Sequence, residues 1–299
     1  MITRRILAHA GIVLVISTAG ACAATPAPPT EPAIGAIPAV RSDSDIVLPI
    51  DPYRVSPEQI PFMTAALNIL GRECMKKFGL DWPADSPTPG AAPTQNERRY
   101  WITDSAKVTT EGYHALDTQR RQKYISDQQA KIKQPTQDAI DVWGGSRPTF
   151  HGRSVPTGGC AQDAMRQLSK GAAVADPGIA ETLQVNTYAQ MERDSRVVRA
   201  VAEWSRCMKA QRFDYPSPKA AAADQRWQTA KPGKPEIAVA TADVACKTQT
   251  RVAGTMLAVE TAYQQRSMAK VSTQLAAVKK LLDTQIANAK LVTSTGTAR

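Results

Sequence analysis

The side chains in this chain best suited to moving a proton are His114 near Glu111 and Tyr113, His151 near Arg153 and Ser154, and the acidic pair Asp138 and Asp141. An imidazole or carboxyl group poised beside a second polar group is what general acid-base hydrolysis requires. None of the three sits in a recognisable motif with a nucleophile. Gly158-Gly159-Cys160 presents a thiol in a glycine turn, but a crosslink explains that thiol better than catalysis does. No Cys-x-x-Cys occurs, and of the three histidines His9 lies in the leader, so neither a local zinc set nor a redox dithiol can be assembled. The expectation is no catalytic residue, no metal and no cofactor. A hydrolase-type enzyme is kept as an alternative, with His114 the first residue to test.

Chemistry of another kind is written into a repeat. Residues 74–83 read CMKKFGLDWP and residues 207–216 read CMKAQRFDYP, aligning Cys74 with Cys207, Leu80 with Phe213, Asp81 with Asp214, Trp82 with Tyr215 and Pro83 with Pro216 without a gap. Each copy places a cysteine near the end of a helix and is followed by one more cysteine, Cys160 or Cys246. Apart from Cys22 these are the four cysteines of the chain, and an even number in an exported protein points to disulfides. The parallel between the copies selects Cys74 with Cys160 and Cys207 with Cys246. Each repeat then reads as a staple at a helix end, with the apolar residue, the aromatic and the proline turning the chain back over the crosslink. Trp204, three residues before Cys207, shares its face and would pack near the second bridge.

The elements that must hold these staples are helical. Ser56-Pro57-Glu58-Gln59 opens a helix expected to run to Phe78 and stop at Gly79. Asp176-Pro177 opens a second, expected to continue to about Arg212 with Ile179, Leu183, Val197, Val201, Trp204 and Met208 at helical spacing. A third follows Pro235 toward Val292, with Val252, Met256, Val259, Tyr263, Val271, Leu275, Val278, Leu282, Ile286 and Ala289 stepping by three and four. The last two predict a long antiparallel, coiled-coil-like hairpin. Pro83, Pro87, Pro89 and Pro93 mark an irregular loop. After it, Arg98, Arg99, Tyr100 and Trp101 either form a surface binding spot or stitch the loop down. Residues 118–143 read as a polar helix interrupted at Pro135, and 147–155 alone has strand character. The fold class is all-α (mainly α).

The chain begins with Arg4 and Arg5, an apolar run from Ile6 to Ile16 and small residues up to Cys22, the layout of a secretory signal over 1–21. Ala19-Gly20-Ala21-Cys22 fits a lipoprotein junction, with Cys22 lipidated, and also an ordinary cleavage site. Pro26, Pro28, Pro29, Pro32 and Pro38 make 22–45 a semi-extended spacer. The organisation expected is a helical domain over 46–293, with possible halves 46–175 and 176–293, and a tail over 294–299. The formal charge of +10 is dispersed, without a run of five basic residues. An exported protein meets no genomic DNA, so no nucleic acid partner is expected. The anionic partners left are wall polymers, lipid headgroups and acidic proteins.

CMKAQRFDYPSP at 207–218, EIAVATADVACK at 236–247, PTGGCAQDA at 156–164 and TQNERRYWITD at 94–104 resemble a functionally uncharacterised family of actinobacterial exported proteins, many of them lipoproteins. The resemblance covers most of 46–290 and implies location and architecture without chemistry. Arg212 and Trp101 depart from it, since the family tends to carry Gly at both places. The functional expectation is a secreted, lipid-anchored binding or accessory module on the extracellular face of the cell membrane, partnered by the membrane and by a wall polymer or an envelope protein. The alternative outside enzymes is a structural envelope protein without a small ligand.

Overall fold

A computed structural model of the protein describes residues 30–83, 94–130 and 132–296. The segment 1–21 expected to be a leader, Cys22, most of the Pro-rich loop and residues 297–299 of the tail lie outside them. The described residues are mainly α-helical, with one two-stranded β-hairpin. The helices are α1 (Ile60–Lys77), α2 (Ser105–Glu111), α3 (Leu116–Gln129), α4 (Gln137–Gly144), α5 (Gly159–Leu168), α6 (Gly178–Arg193), α7 (Ser195–Ala210), α8 (Pro218–Ala222), α9 (Lys234–Thr250), α10 (Val252–Ala269) and α11 (Ser272–Thr295). Strands β1 (Thr149–Phe150) and β2 (Arg153–Ser154) pair antiparallel, Thr149 opposite Ser154, within the one stretch of strand character.

Both disulfides form as the repeat implies, Cys74 with Cys160 and Cys207 with Cys246, with Cα atoms 5.5 and 5.7 Å apart. The repeats have one backbone. In the first, Gly79 N–H donates to the Lys76 carbonyl and Leu80 N–H to the Met75 carbonyl; in the second, Arg212 donates to Lys209 and Phe213 to Met208. These are the bonds that close a helix on a left-handed residue, and Gly79 and Arg212 have φ of 71° and 66°. The aromatic residues then anchor the returning chain differently. Trp82 stacks on Trp143 with ring centres 4.2 Å apart. The Tyr215 hydroxyl instead donates to Asp224 Oδ2 (2.7 Å), and its backbone carbonyl accepts from Ser205 Oγ (2.6 Å).

A left-handed arginine meets the Cβ clash that glycine escapes. Arg212→Gly is therefore expected to stabilise the fold by about 1 kcal/mol, read as a raised urea midpoint with unchanged slope. A lowered midpoint would mean that the Arg212 side chain contributes more than its backbone strain costs. Trp101 also has a positive φ, 62°.

The long helices foreseen after Pro177 and Pro235 are divided where neither Gly nor Pro marks a break. Asp194 takes an extended backbone, caps the Arg196 amide at 3.0 Å and is gripped by the Arg196 guanidinium, ending α6 and starting α7. Arg251, left-handed at φ 57°, separates α9 from α10, and Val271 separates α10 from α11. The antiparallel hairpin is corrected at the α7–α9 contact. Trp204 meets Asp243 and Cys207 meets Cys246, so the two rungs advance in the same sense along both helices.

The largest core joins α6, α7, α9 and α10 with Ile46, Leu48, Ile50, Tyr100 and Trp227; the expected stripe residues Val197, Trp204, Met208, Val252, Met256, Val259 and Tyr263 all lie in it. A second core sets α1 and α5 against α11 through Leu70, Leu168 and Ala289, and a third surrounds the Cys74–Cys160 bridge. Since α11 packs on α1 and α5, residues 46–175 and 176–293 are not separable halves. The spacer reading is likewise too long at its C-terminal end. Residues 32–45 lie against the body, with Ile34 and Val40 packed on the main core and the Pro32 carbonyl accepting from Arg196 at 2.8 Å. The Pro38 carbonyl occupies the space a Cβ on Gly254 would need, so glycine in α10 is what lets this segment seat.

Candidate functional site

The stretch 95–104 is a stitch rather than a surface binding spot. Tyr100 is fully buried, and its hydroxyl donates to Glu260 Oε2 at 2.7 Å. Arg99 forks onto the same carboxylate, its Nε donating to Oε2 at 2.9 Å and its Nη2 to Oε1, while its guanidinium lies 5.0 Å over the Tyr188 ring. Gln264 completes the set by donating to Glu260 Oε1 at 3.1 Å and accepting from the Ile50 amide at 3.1 Å. Arg98 points elsewhere, donating to the Tyr113 and His114 carbonyls at 2.8 and 2.7 Å and pairing with Glu111 at 3.2 Å. Trp101 is half-buried, with Lys247 Nζ 5.9 Å from its ring centre. Burial and then the negative Glu260 push the Tyr100 hydroxyl well up. Burial opposes the Arg99 charge, but Glu260 more than offsets it.

A second buried polar set runs along one face of α9. Asp243 accepts from Trp204 Nε1 (2.9 Å), Tyr113 Oη (3.1 Å) and Lys247 Nζ (2.9 Å), and Lys247 also donates to the Ile102 carbonyl at 2.8 Å. Burial pushes the Asp243 carboxyl up and the Lys247 ammonium down, each against the attraction of the other. One end of the face carries Glu236, whose Oε1 accepts from the Tyr113 amide at 2.8 Å and faces His114 Nδ1 at 2.7 Å. Gly112 has a φ of 54° and would place a Cβ 2.7 Å from that oxygen, so only glycine lets the loop come this close.

The proton-transfer candidates now have definite surroundings. The His114 ring does not meet the Glu111 carboxylate, which pairs with Arg98, although the His114 amide donates to the Glu111 carbonyl at 2.9 Å; the ring Nδ1 faces Glu236 and the ring Nε2 the Thr229 carbonyl at 2.8 Å. Both ring nitrogens thus face acceptors, which favours the imidazolium. Burial works against that charge, but the Thr229 carbonyl and Glu236 outweigh it and raise the His114 pKa above its usual 6.5. A pKa raised on folding gives stabilisation that is complete below the unfolded value and lost as pH rises through the folded one. The urea midpoint should therefore fall as pH rises above about 6.5, the value in the unfolded chain, and His114→Gln should flatten that part of the profile. An equal fall in both proteins would remove His114 as its source. His151 meets Phe150 edge to face at 4.2 Å, Asp138 and Asp141 both pair with Arg147 at 3.0 and 2.9 Å, and Cys160 is crosslinked.

Glu236, Asp243, Lys247, Glu260 and Gln264 were not anticipated. Their signal was available: Glu236, Asp243 and Lys247 recur at seven and four, and Glu260 and Gln264 at four, each set sharing one helical face. Charges at helical spacing ordinarily mark a solvated side, and here they mark a buried one.

Among the described residues open clefts indent the body, and two of them have similar volumes. One, of about 290 Å³, lies over His114 between Tyr113, Gln119, Asp224 and Trp227. Its polar groups are engaged within the protein: Asp224 is held by Arg226 and Tyr215, and Tyr113 by Asp243. The other, of about 260 Å³, is walled by Val55, Ala180, Val278, Leu281 and Leu282, with Arg54 on its rim. Among the described residues no group of His, Cys, Asp and Glu is arranged to hold a metal ion, and no helix is long and apolar enough to cross a membrane. No family model, no curated protein and no solved structure matches this chain. Fold and site together define, among the described residues, a mainly α-helical body with two disulfide-stapled helix ends, buried ion networks that leave Glu236 Oε2 without a partner, and open surface clefts.

Proposed function

We propose that this protein is an exported binding or accessory module of the cell envelope, tethered to the outer face of the membrane through lipid on Cys22. The pair of disulfides carries this reading. Crosslinks that span 86 and 39 positions and sit at equivalent helix ends belong to an oxidising compartment, which agrees with the leader-like first 21 residues. Since the body already begins at about residue 32, Cys22 is separated from it by a chain that reaches at most about 35 Å when fully extended. That tether keeps the body close to the bilayer, within reach of lipids and wall polymers and with little room for a large intervening domain.

Mass spectrometry of the membrane fraction should find an acylated cysteine as the mature N-terminus, and Cys22→Ala should move the protein into the medium. An unmodified N-terminus at Ala24 would remove the anchor while leaving export in place. Recovery of the protein in the cytosol with four reduced cysteines would overturn the proposal as a whole.

A further inference from the structure

We infer that the outward face of α7 docks on anionic lipid headgroups of the membrane that holds Cys22. The nearness of that membrane rests on the anchor proposed above, and the contact rests on α7 alone. Val197, Ala200, Trp204 and Met208 turn one side of α7 into the main core. At about 100° per residue the opposite side presents Ser195, Arg199, Ala202, Arg206 and Lys209, all exposed, and Arg212 follows, also exposed, just past the helix end. Every charge on this stripe is positive. Glu203 is the one acid on α7; it flanks the stripe and makes no ion pair.

Arg98, Arg99, Arg147 and Arg196 each donate to a carboxylate at hydrogen-bonding distance. The stripe is different. Among the described residues Arg206, Lys209 and Arg212 have no acidic partner, and Arg199 donates only to the Ser195 hydroxyl, at 3.3 Å. Arg206 and Lys209, three apart, are like-charged neighbours that weaken a helix slightly, and Arg212 adds its charge at a left-handed backbone where glycine would fit with less strain. The helix dipole accounts for Lys209 in the last turn but not for Arg199 in the N-terminal half. A negatively charged surface would gain from each of the four. The attachment of the chain favours a lipid surface over a soluble polyanion. The Pro32 carbonyl accepts from Arg196 Nη1 at 2.8 Å, so the chain joins the body at the first turn of α7. From there at most about 35 Å of extended chain leads to Cys22, and α7, with 16 residues, is about 24 Å long. The tether therefore lets the whole stripe reach the bilayer.

The exported chain carrying Cys22→Ala, with both disulfides intact, is mixed with sedimentable vesicles of equal parts phosphatidylglycerol and phosphatidylcholine, and bound protein is measured as lipid is raised. Binding is expected, and raising the salt from about 0.1 M to about 0.5 M should abolish it. Each cation near an anionic surface is worth about fivefold in affinity, so Arg199→Gln/Arg206→Gln/Lys209→Gln should weaken binding on the order of a hundredfold. Arg72→Gln/Lys76→Gln/Lys77→Gln removes the same charge from exposed positions of α1 and should leave the affinity within about threefold. Equal losses in the two variants would make net charge the cause and overturn the inference. Equal binding to pure phosphatidylcholine, or binding indifferent to salt, would overturn it too, even if the α7 variant failed to fold. Polyphosphate bound by the stripe with the vesicles left bare would reassign the face to a wall polymer and reject the lipid contact. Bare vesicles beside an acylated Cys22 in the unsubstituted protein would reject this surface and leave the anchor standing, whereas vesicle binding beside an unmodified N-terminus would remove the anchor and keep the α7 contact.

Discussion

Replacing either disulfide with a serine pair is expected to remove about 4 to 5 kcal/mol of stability, since the closed loops span 86 and 39 positions and the constraint on the unfolded chain grows only slowly with loop length. Domains of this kind are stable by only about 5 to 15 kcal/mol, so losing both bridges should leave the chain largely unfolded at ordinary temperatures. Urea unfolding of Cys207→Ser/Cys246→Ser and Cys74→Ser/Cys160→Ser measures each loss. The two bridges should also differ in reactivity. Cys207 is half-buried, whereas Cys74 and Cys160 are 3% and 0% exposed, so a mild reductant should open Cys207–Cys246 first. Thiol labelling followed by peptide mapping reads the order. A map joining Cys74 to Cys207 would refute the two-staple architecture.

Glu260→Gln is expected to cost about 3 to 5 kcal/mol, because it leaves the Arg99 guanidinium, only 12% exposed, without its anion and leaves the buried Tyr100 hydroxyl a poorer acceptor. The loss should appear locally as well as globally. Residues 94–104 hang on this carboxylate, so limited proteolysis should cut there earlier in the variant. The double substitution Arg99→Met/Glu260→Met removes both charges and should recover most of the stability, as replacing a whole buried pair with apolar groups of similar size often does. Recovery by the double variant together with damage in the single one identifies an uncompensated charge as the cause. Equal damage in both would point instead to lost packing over Tyr188.

The sequence by itself determined the local and periodic features of this protein. The helix-end repeat, the pairing of its four cysteines, the stop at Gly79 and the apolar faces of α6, α7, α10 and α11 follow from spacing, because helix geometry turns a three-and-four repeat into a face. Tertiary structure alone decided the rest. Asp194 divides one expected helix in two because an arginine two residues on completes its cap, and no composition rule marks that break. Arg99 and Tyr100 turned inward because Glu260, far along the chain, was waiting in the core with room for three donors. A charged side chain reads alike in sequence whether water or a distant partner satisfies it, and only the fold brings that partner within 3 Å.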